Sequence, residues 1–506
     1  VRTARALLAG LVSLAACTDD ATPLSPCVPG EVRACPCPGG APPGVQRCAE
    51  DGARFLACEG CASGVDAGLA DGGDEPDCLP SRCAAQGPGF VCLPRLGCAQ
   101  VEDALCRWRA GPRDAPSGVV ASVLPLTGPL ADVIPDLEPA VVLGVEAWNA
   151  AGGLGDRAVG LLSCDTRGDP ALARQAVLHL EALGLSAAVG PATSVEVRAA
   201  GEGLQTADGP LLISPSATAP GLRDGLLSPS LVWSLSPAEA AQLPPLVALP
   251  TVRTASVGVV LALPGLGEAL APALAELQAA QGRAWPQARP GDVSPEAMAD
   301  AAAARAGGPP TVIIVLGGDR IAAVAEALSS RWPRVALVLG DPARQPALLQ
   351  AAARDRTLMA RVEGTSPAPP EGPVARAFEA RFAARYGHPP GAFAHHAQDA
   401  LHLAVAAQLV AGPDAEGRVL AAALPNLARG GAAPLFLEQL ADVRARLLAE
   451  GELALEGASG PLHLDPRTGQ RQSAFIRWRI VPGDPGPRFA PAGRWDPAAQ
   501  TWRGIP

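Results

Sequence analysis

From residue 118 onward the chain alternates short runs of branched apolar residues with stretches of helical periodicity, and no other feature narrows its fold as far. Gly118 to Leu124, GVVASVL, reads as a buried strand, and the next strand, Ala158 to Cys164, comes only after a helix over Pro135 to Ala151 that Gly152 and Gly153 stop. Strands over Ala187 to Val189 and Pro210 to Ile213 follow, set apart by helices over Pro170 to Leu183 and Val195 to Gln205. Strands joined by a helix of about ten or more residues pair in parallel, because the crossover returns the chain to the end from which it left. The pattern recurs in a strand at Ser256 to Ala262, a helix at Leu266 to Ala280, a strand at Thr311 to Leu316, a helix at Ile321 to Arg331 and a strand at Val335 to Leu339. Two such runs predict an α/β chain with two lobes.

The region before residue 117 follows different rules. Of the 13 cysteines, 11 lie between Cys27 and Cys106, in a segment rich in proline and glycine, which suits an oxidising compartment where disulfides replace a core. Six of them, Cys27, Cys35, Cys37, Cys48, Cys58 and Cys61, can close three bridges in any pairing. The next five, Cys78, Cys83, Cys92, Cys98 and Cys106, are odd in number. Cys164 is the one cysteine left downstream, so a long-range bridge from this module is expected, with Cys106 its nearest partner. Zinc is the rival reading, but Cys58-x2-Cys61 is the only C-x-x-C spacing, and no second pair completes it. At the start, Arg2 and Arg5 precede an apolar run from Ala6 to Ala16, the length of a signal-peptide core and too short to span a bilayer. Leu14-Ala15-Ala16-Cys17 resembles a bacterial lipobox, which implies cleavage before Cys17, lipidation of that residue and a location on the periplasmic side of the cell envelope, in the inner or the outer membrane.

A net charge of -10 argues against nucleic acid as a partner. Neither a Walker A loop nor a Gly-x-Ser-x-Gly elbow is present, so no enzyme and no cofactor are expected. His395, Asp399 and His402 fall on one face of a helix and could be drawn as metal ligands, but the face reads rather as packing, and no metal is assigned.

The stretch VLPLTGPLADVIPDLEPAVVLGVEAWNAAGG is followed by CDTRGDPALARQAV, AAVGPATS and LLISPSAT. Then come GTSPAPP, FEARFAARYGHPPGAFAHHAQDALHLAVAA and GASGPLHLDPRTGQRQSAFIRWRI. In order and spacing these resemble the type I periplasmic binding proteins of the leucine/isoleucine/valine class, over about residues 117 to 485. The resemblance implies two Rossmann-like lobes joined by a three-crossing hinge, with a solute bound between them. Crossings near Leu235, Ser366 and Leu453 give lobe I as 117–235 plus 366–452, lobe II as 236–365 plus 453–485, and a C-terminal tail at 486–506. Residues 1–16 are then the signal peptide, and 17–116 a lipid-anchored stalk with modules at about 27–61 and 78–106.

Ligands of open α/β sheets bind beyond the carboxyl ends of the strands, which is where Ser194, Ser216 and Thr218 fall. In the family, the positions matching Ser194, Ala217 and Thr218 help to hold the α-carboxylate and α-ammonium of an amino acid. Ser194 also reads as a helix N-cap. Asp341 is the nearest candidate for the acidic group that pairs the ammonium from lobe II, and it reads equally as a turn residue. Two family aromatics are missing: Val133 stands in the loop after LTGPLA, and Leu266-Gly267 replaces Tyr-Gly. The expected function is solute capture for an ABC importer, with an amino acid or related compound as ligand and a permease as partner. The alternative is a cell-envelope sensor or surface interaction lipoprotein with a regulatory or degenerate cleft.

Overall fold

A computed structural model describes residues 32–35, 44–49, 80–87, 89–93, 96–113, 118–155, 158–318, 320–429, 433–496 and 499–504. The signal peptide and Cys17 lie outside the described residues, as do Cys27, Cys37, Cys58, Cys61 and Cys78. Among the described residues no helix is long and apolar enough to cross a membrane.

Two large sheets form, as the alternation requires. In the first, strands Val232–Ser234, Leu211–Ser214, Ala187–Val189, Gly118–Leu124 and Val159–Asp165 run parallel in that spatial order. Gly118–Leu124 is buried at every position, which is why its sequence is apolar throughout and does not alternate. The second sheet sets Gln287–Ala288, Gly258–Ala262, Val312–Leu316, Ala336–Leu339 and Val362–Pro367 in parallel. It then continues antiparallel through Phe475–Val481, Arg488–Asp496 and Thr501–Arg503. Helices Leu137–Ala150, Pro170–Ala182, Ser194–Gly203, Leu266–Ala280 and Ile321–Arg331 lie within one or two residues of their expected limits. A further helix, Pro295–Ala306, is capped by Ser294, whose side chain accepts from Ala297 N, with proline in the first turn, a capping signal legible in SPEAM.

Helix Ala394–Ala411 is buried on nearly all sides and fills the centre of the first lobe, whose single core also takes Val374, Phe378 and Phe382 from helix Gly372–Tyr386. The second sheet has a core on each face. These cores locate the crossings. Leu243 and Leu246 already belong to the second lobe, so the first crossing follows Leu235 directly. The second lies between Pro367 and Val374. The third departs from the sequence reading: Leu453, Leu455, Leu462 and Leu464 pack in the first lobe's core, and the chain joins the second sheet only at Phe475. Sequence gave no signal for this, since either lobe could use the same apolar run. Residues 488–496 and 501–503 are likewise strands of the second sheet and form no separate tail.

The cysteine-rich region also reaches further into the fold than its composition suggests. Cys106–Ala110 is an antiparallel edge strand of the first sheet, paired with Val159–Asp165, and Cys106 is disulfide-bonded to Cys164 directly across that pairing. This is the long-range bridge expected from the odd count. Cys83 pairs with Cys98, and Val91, Leu93, Val101 and Leu105 of the same module join the first lobe's core.

Candidate functional site

Two loops at the carboxyl ends of adjacent strands of the first sheet build one wall of the site. The first begins at Gly190, whose φ of 106° and closeness to Val123 O, which a Cβ would meet at 2.2 Å, leave room only for glycine. The second contains Ser214-Pro215-Ser216-Ala217-Thr218. Hydroxyls knit the two together. Ser214 Oγ donates to Pro191 O at 2.6 Å and accepts from Ala217 N at 3.0 Å, while Ser216 Oγ donates to Ala192 O at 2.7 Å. Ser194 Oγ accepts from Thr218 N at 3.2 Å and from Ala219 N at 3.1 Å. Ser234 Oγ, at the end of the neighbouring strand, donates to Ala217 O, and Ser236 Oγ, two residues further on, donates to Pro215 O.

The N-cap of helix Ser194–Gly203 is Thr193, in a reciprocal box with Glu196, so Ser194 is the first helical residue and does not cap. Its role here is to brace the Thr218 loop.

A cavity of ≈ 530 Å³ opens between the lobes. Thr218 lines it from the first lobe and Asp341, at the end of strand Ala336–Leu339, from the second. Ser194, Ser216 and Ala217 do not line it; Ala217 is buried, and the two serine hydroxyls are occupied by the backbone.

A hydrogen-bonded chain crosses from lobe to lobe beside Thr218. Glu239 N donates to Thr218 O at 2.8 Å and the Thr218 hydroxyl bonds the Glu239 carboxylate. Gln242 Nε2 donates to Glu239 Oε2 at 2.7 Å, and Asp341 N donates to Gln242 Oε1 at 3.0 Å. Burial, then the charge of Asp341, pushes Glu239 up to about 7, against the hydrogen bonds from Thr218 and Gln242. Burial likewise pushes Asp341 up to about 6, opposed by Arg344.

Other cavity residues come from segments without an expected role at the site. Phe393, the residue before helix Ala394–Ala411, has a left-handed φ of 61° and its ring lies edge-on to His396, centroids 5.8 Å apart. Arg471 is buried to 6 % exposure and donates to Ser459 Oγ, Ser459 O and Pro461 O. Burial lowers it to about 10, opposed by the charge of Asp399. Burial, then Arg471 and His395, holds His396 well below the usual imidazole range. GAFAHH and GQRQ carry these residues, but no local signal marks them, since their convergence depends on the third crossing.

The helix face of His395, Asp399 and His402 is divided among separate partners. Asp399 accepts from Ala458 N and from Ser459 N and Oγ, His395 Nε2 lies 3.0 Å from Glu379, and His402 is buried beside Trp148. Asp103, Cys106 and His179 bring ligand-type atoms close together, but the Cys106 sulfur is committed to its disulfide.

The family model described as periplasmic binding protein matches residues 119–432. A chemotactic signal transduction system substrate-binding protein, BasB, of Halobacterium salinarum is 41% identical over 107 residues, which are 20% of this chain and 25% of that protein, so the chain spans about a quarter of that relative. Similar solved structures include a putative branched-chain amino acid ABC transporter protein from Rhodospirillum rubrum, at TM-score 0.56 and 21% identity, covering 77% of this chain and 100% of that one. A leucine-binding protein from Thermotoga maritima matches at TM-score 0.52 and 18% identity, over 76% and 99% of the two chains. A solute-binding protein of an ABC transporter from Rhodopseudomonas palustris BisB5, in complex with 3,4-dihydroxybenzoic acid, matches at TM-score 0.53 and 16% identity, over 75% and 97%. At these identities the likeness is one of fold.

Proposed function

The chain belongs to the periplasmic binding protein family, and from that premise we propose that it captures a small organic solute, an amino acid or related acid, in the cleft between its lobes for an ABC importer. The observation that carries the reading is the cavity with Thr218 on one wall and Asp341 on the other, each at the carboxyl end of a parallel strand. Groups on both lobes reward closure: a solute touching both binds the closed form better and shifts the population toward it. Lipidation at Cys17 tethers the receptor to the periplasmic side of a membrane, with the cysteine-rich region between lipid and lobes. The site residues are Thr218 and Asp341 in contact with solute, with Ser194, Ser216 and Ala217 shaping the loop that presents Thr218.

The local match to a chemotaxis substrate-binding protein favours one second reading, in which the closed form reports to a sensor and not to a permease. Both readings need solute-driven closure. Purified chain is to be screened by thermal unfolding against amino acids and organic acids. A true ligand at a hundredfold its Kd stabilises by about 2.7 kcal/mol and contracts the radius of gyration in solution scattering. If no solute moves either quantity, the receptor reading fails.

A further inference from the structure

Arg471 is a buried cation without an ion-pair partner among the described residues, and it lines the interlobe cavity. Its Nε donates to Pro461 O at 3.1 Å, Nη1 to Ser459 Oγ at 2.7 Å and Nη2 to Ser459 O at 2.7 Å. A guanidinium has five N–H groups, so one on each terminal nitrogen remains to donate to an acceptor in the cavity. Asp399 reaches Arg471 only through Ser459, whose hydroxyl accepts from Arg471 and donates to Asp399 at 2.5 Å. A buried charge left at this remove from its counter-charge is costly, and an anion in the cavity would offset that cost.

Two neighbours point the same way. His396 lines the cavity with Nδ1 buried and unpartnered. Helix Ala394–Ala411 begins at the same place with no side-chain cap on its first turn, and its N-terminus adds positive potential. Beside them stands Phe393, 36% exposed, in a left-handed backbone conformation that is costly for a bulky residue. A ring held out into a cavity at that cost, with Pro390 and Pro461 also on the wall, offers a flat apolar surface. Meanwhile the Ser216 hydroxyl donates to Ala192 O, and Ser194 Oγ is turned to Thr218 N and Ala219 N of the neighbouring loop; neither residue lines the cavity.

We infer that the cleft selects an organic acid with a flat apolar body, its carboxylate anchored on Arg471 and His396 and its body against Phe393, so that an α-ammonium is not required. This rests on the cleft being the solute site, as proposed above.

The test is calorimetric titration of the purified chain with phenylacetate, phenethylamine and phenylalanine. Phenylacetate binds, phenethylamine does not, and phenylalanine binds no more tightly than phenylacetate. Arg471→Gln weakens phenylacetate at least tenfold. Phe393→Ala, at an exposed position where folding is not at stake, weakens it about threefold or more. Binding of phenethylamine or phenylalanine alone overturns the inference, as does phenylacetate binding untouched by both variants; in either case the cleft reading survives if Thr218→Ala or Asp341→Asn abolishes whatever binding is seen. Failure of every solute in the broader thermal screen sinks both.

Discussion

At the residue scale, the hydroxyl groups around the expected ligand site are mortar between two loops. Ser214, Ser216 and Ser194 each satisfy backbone groups of two loops that would otherwise be left unpaired in a half-buried corner. Thr218 alone of the group keeps its side chain at the cavity, where it meets Glu239. The raised carboxyls of Glu239 and Asp341 have a stability consequence. Both groups hold protons in the fold that the unfolded chain would release. Their stabilising contribution is therefore complete below about pH 4, the ordinary carboxylate range, and is lost as pH rises through about 6 for Asp341 and about 7 for Glu239. Glu239→Gln keeps an acceptor for Gln242 while removing the charge. It should stabilise the fold by about 1–2 kcal/mol at pH 8 and have no such effect at pH 4, measured by urea denaturation at both values. Equal effects at the two values would remove the pair's proton linkage.

At the scale of elements, the strand Cys106–Ala110 matters most, because it makes the cysteine-rich region part of the first sheet. Its module has little core of its own and contributes Val91, Leu93, Val101 and Leu105 to the core of the lobe. The Cys106–Cys164 bridge closes a loop of sequence separation 58. Replacing both cysteines by serine should cost about 4 kcal/mol on the chain-entropy account, read as a lower urea midpoint of the first lobe. An unchanged midpoint would mean that strand pairing and His179, whose ring nitrogen lies 2.9 Å from Val101 O, hold the module without the bond. The odd cysteine count made this pairing legible. Strand pairing next to it was not, since Cys106–Ala110, CRWRA, is short and carries two arginines.

At the scale of the whole molecule, the C-terminal hairpin is the part whose importance the sequence least suggested. Trp478, fully buried, packs edge-on against Phe489 at 5.2 Å, and Trp495 lies against Trp502 at 5.5 Å. Ending the chain at Pro485 should therefore uncover the edge of the second sheet and destabilise that lobe by at least about 3 kcal/mol, visible in thermal unfolding, whereas a disordered tail could be removed without effect. Sequence by itself determined the α/β class, the two lobes, the parallel pairing within each sheet and the bridge to Cys164, because periodicity, helix-length spacing and an odd cysteine are local or countable properties. Only the tertiary structure decided where the third crossing falls, that Ser194 and Ser216 turn to the backbone, and that Phe393, His396 and Arg471 meet Thr218 and Asp341 around one cavity. Those outcomes depend on which core an apolar run joins and on which polar groups lose water, and neither is written in the spacing of residues along the chain.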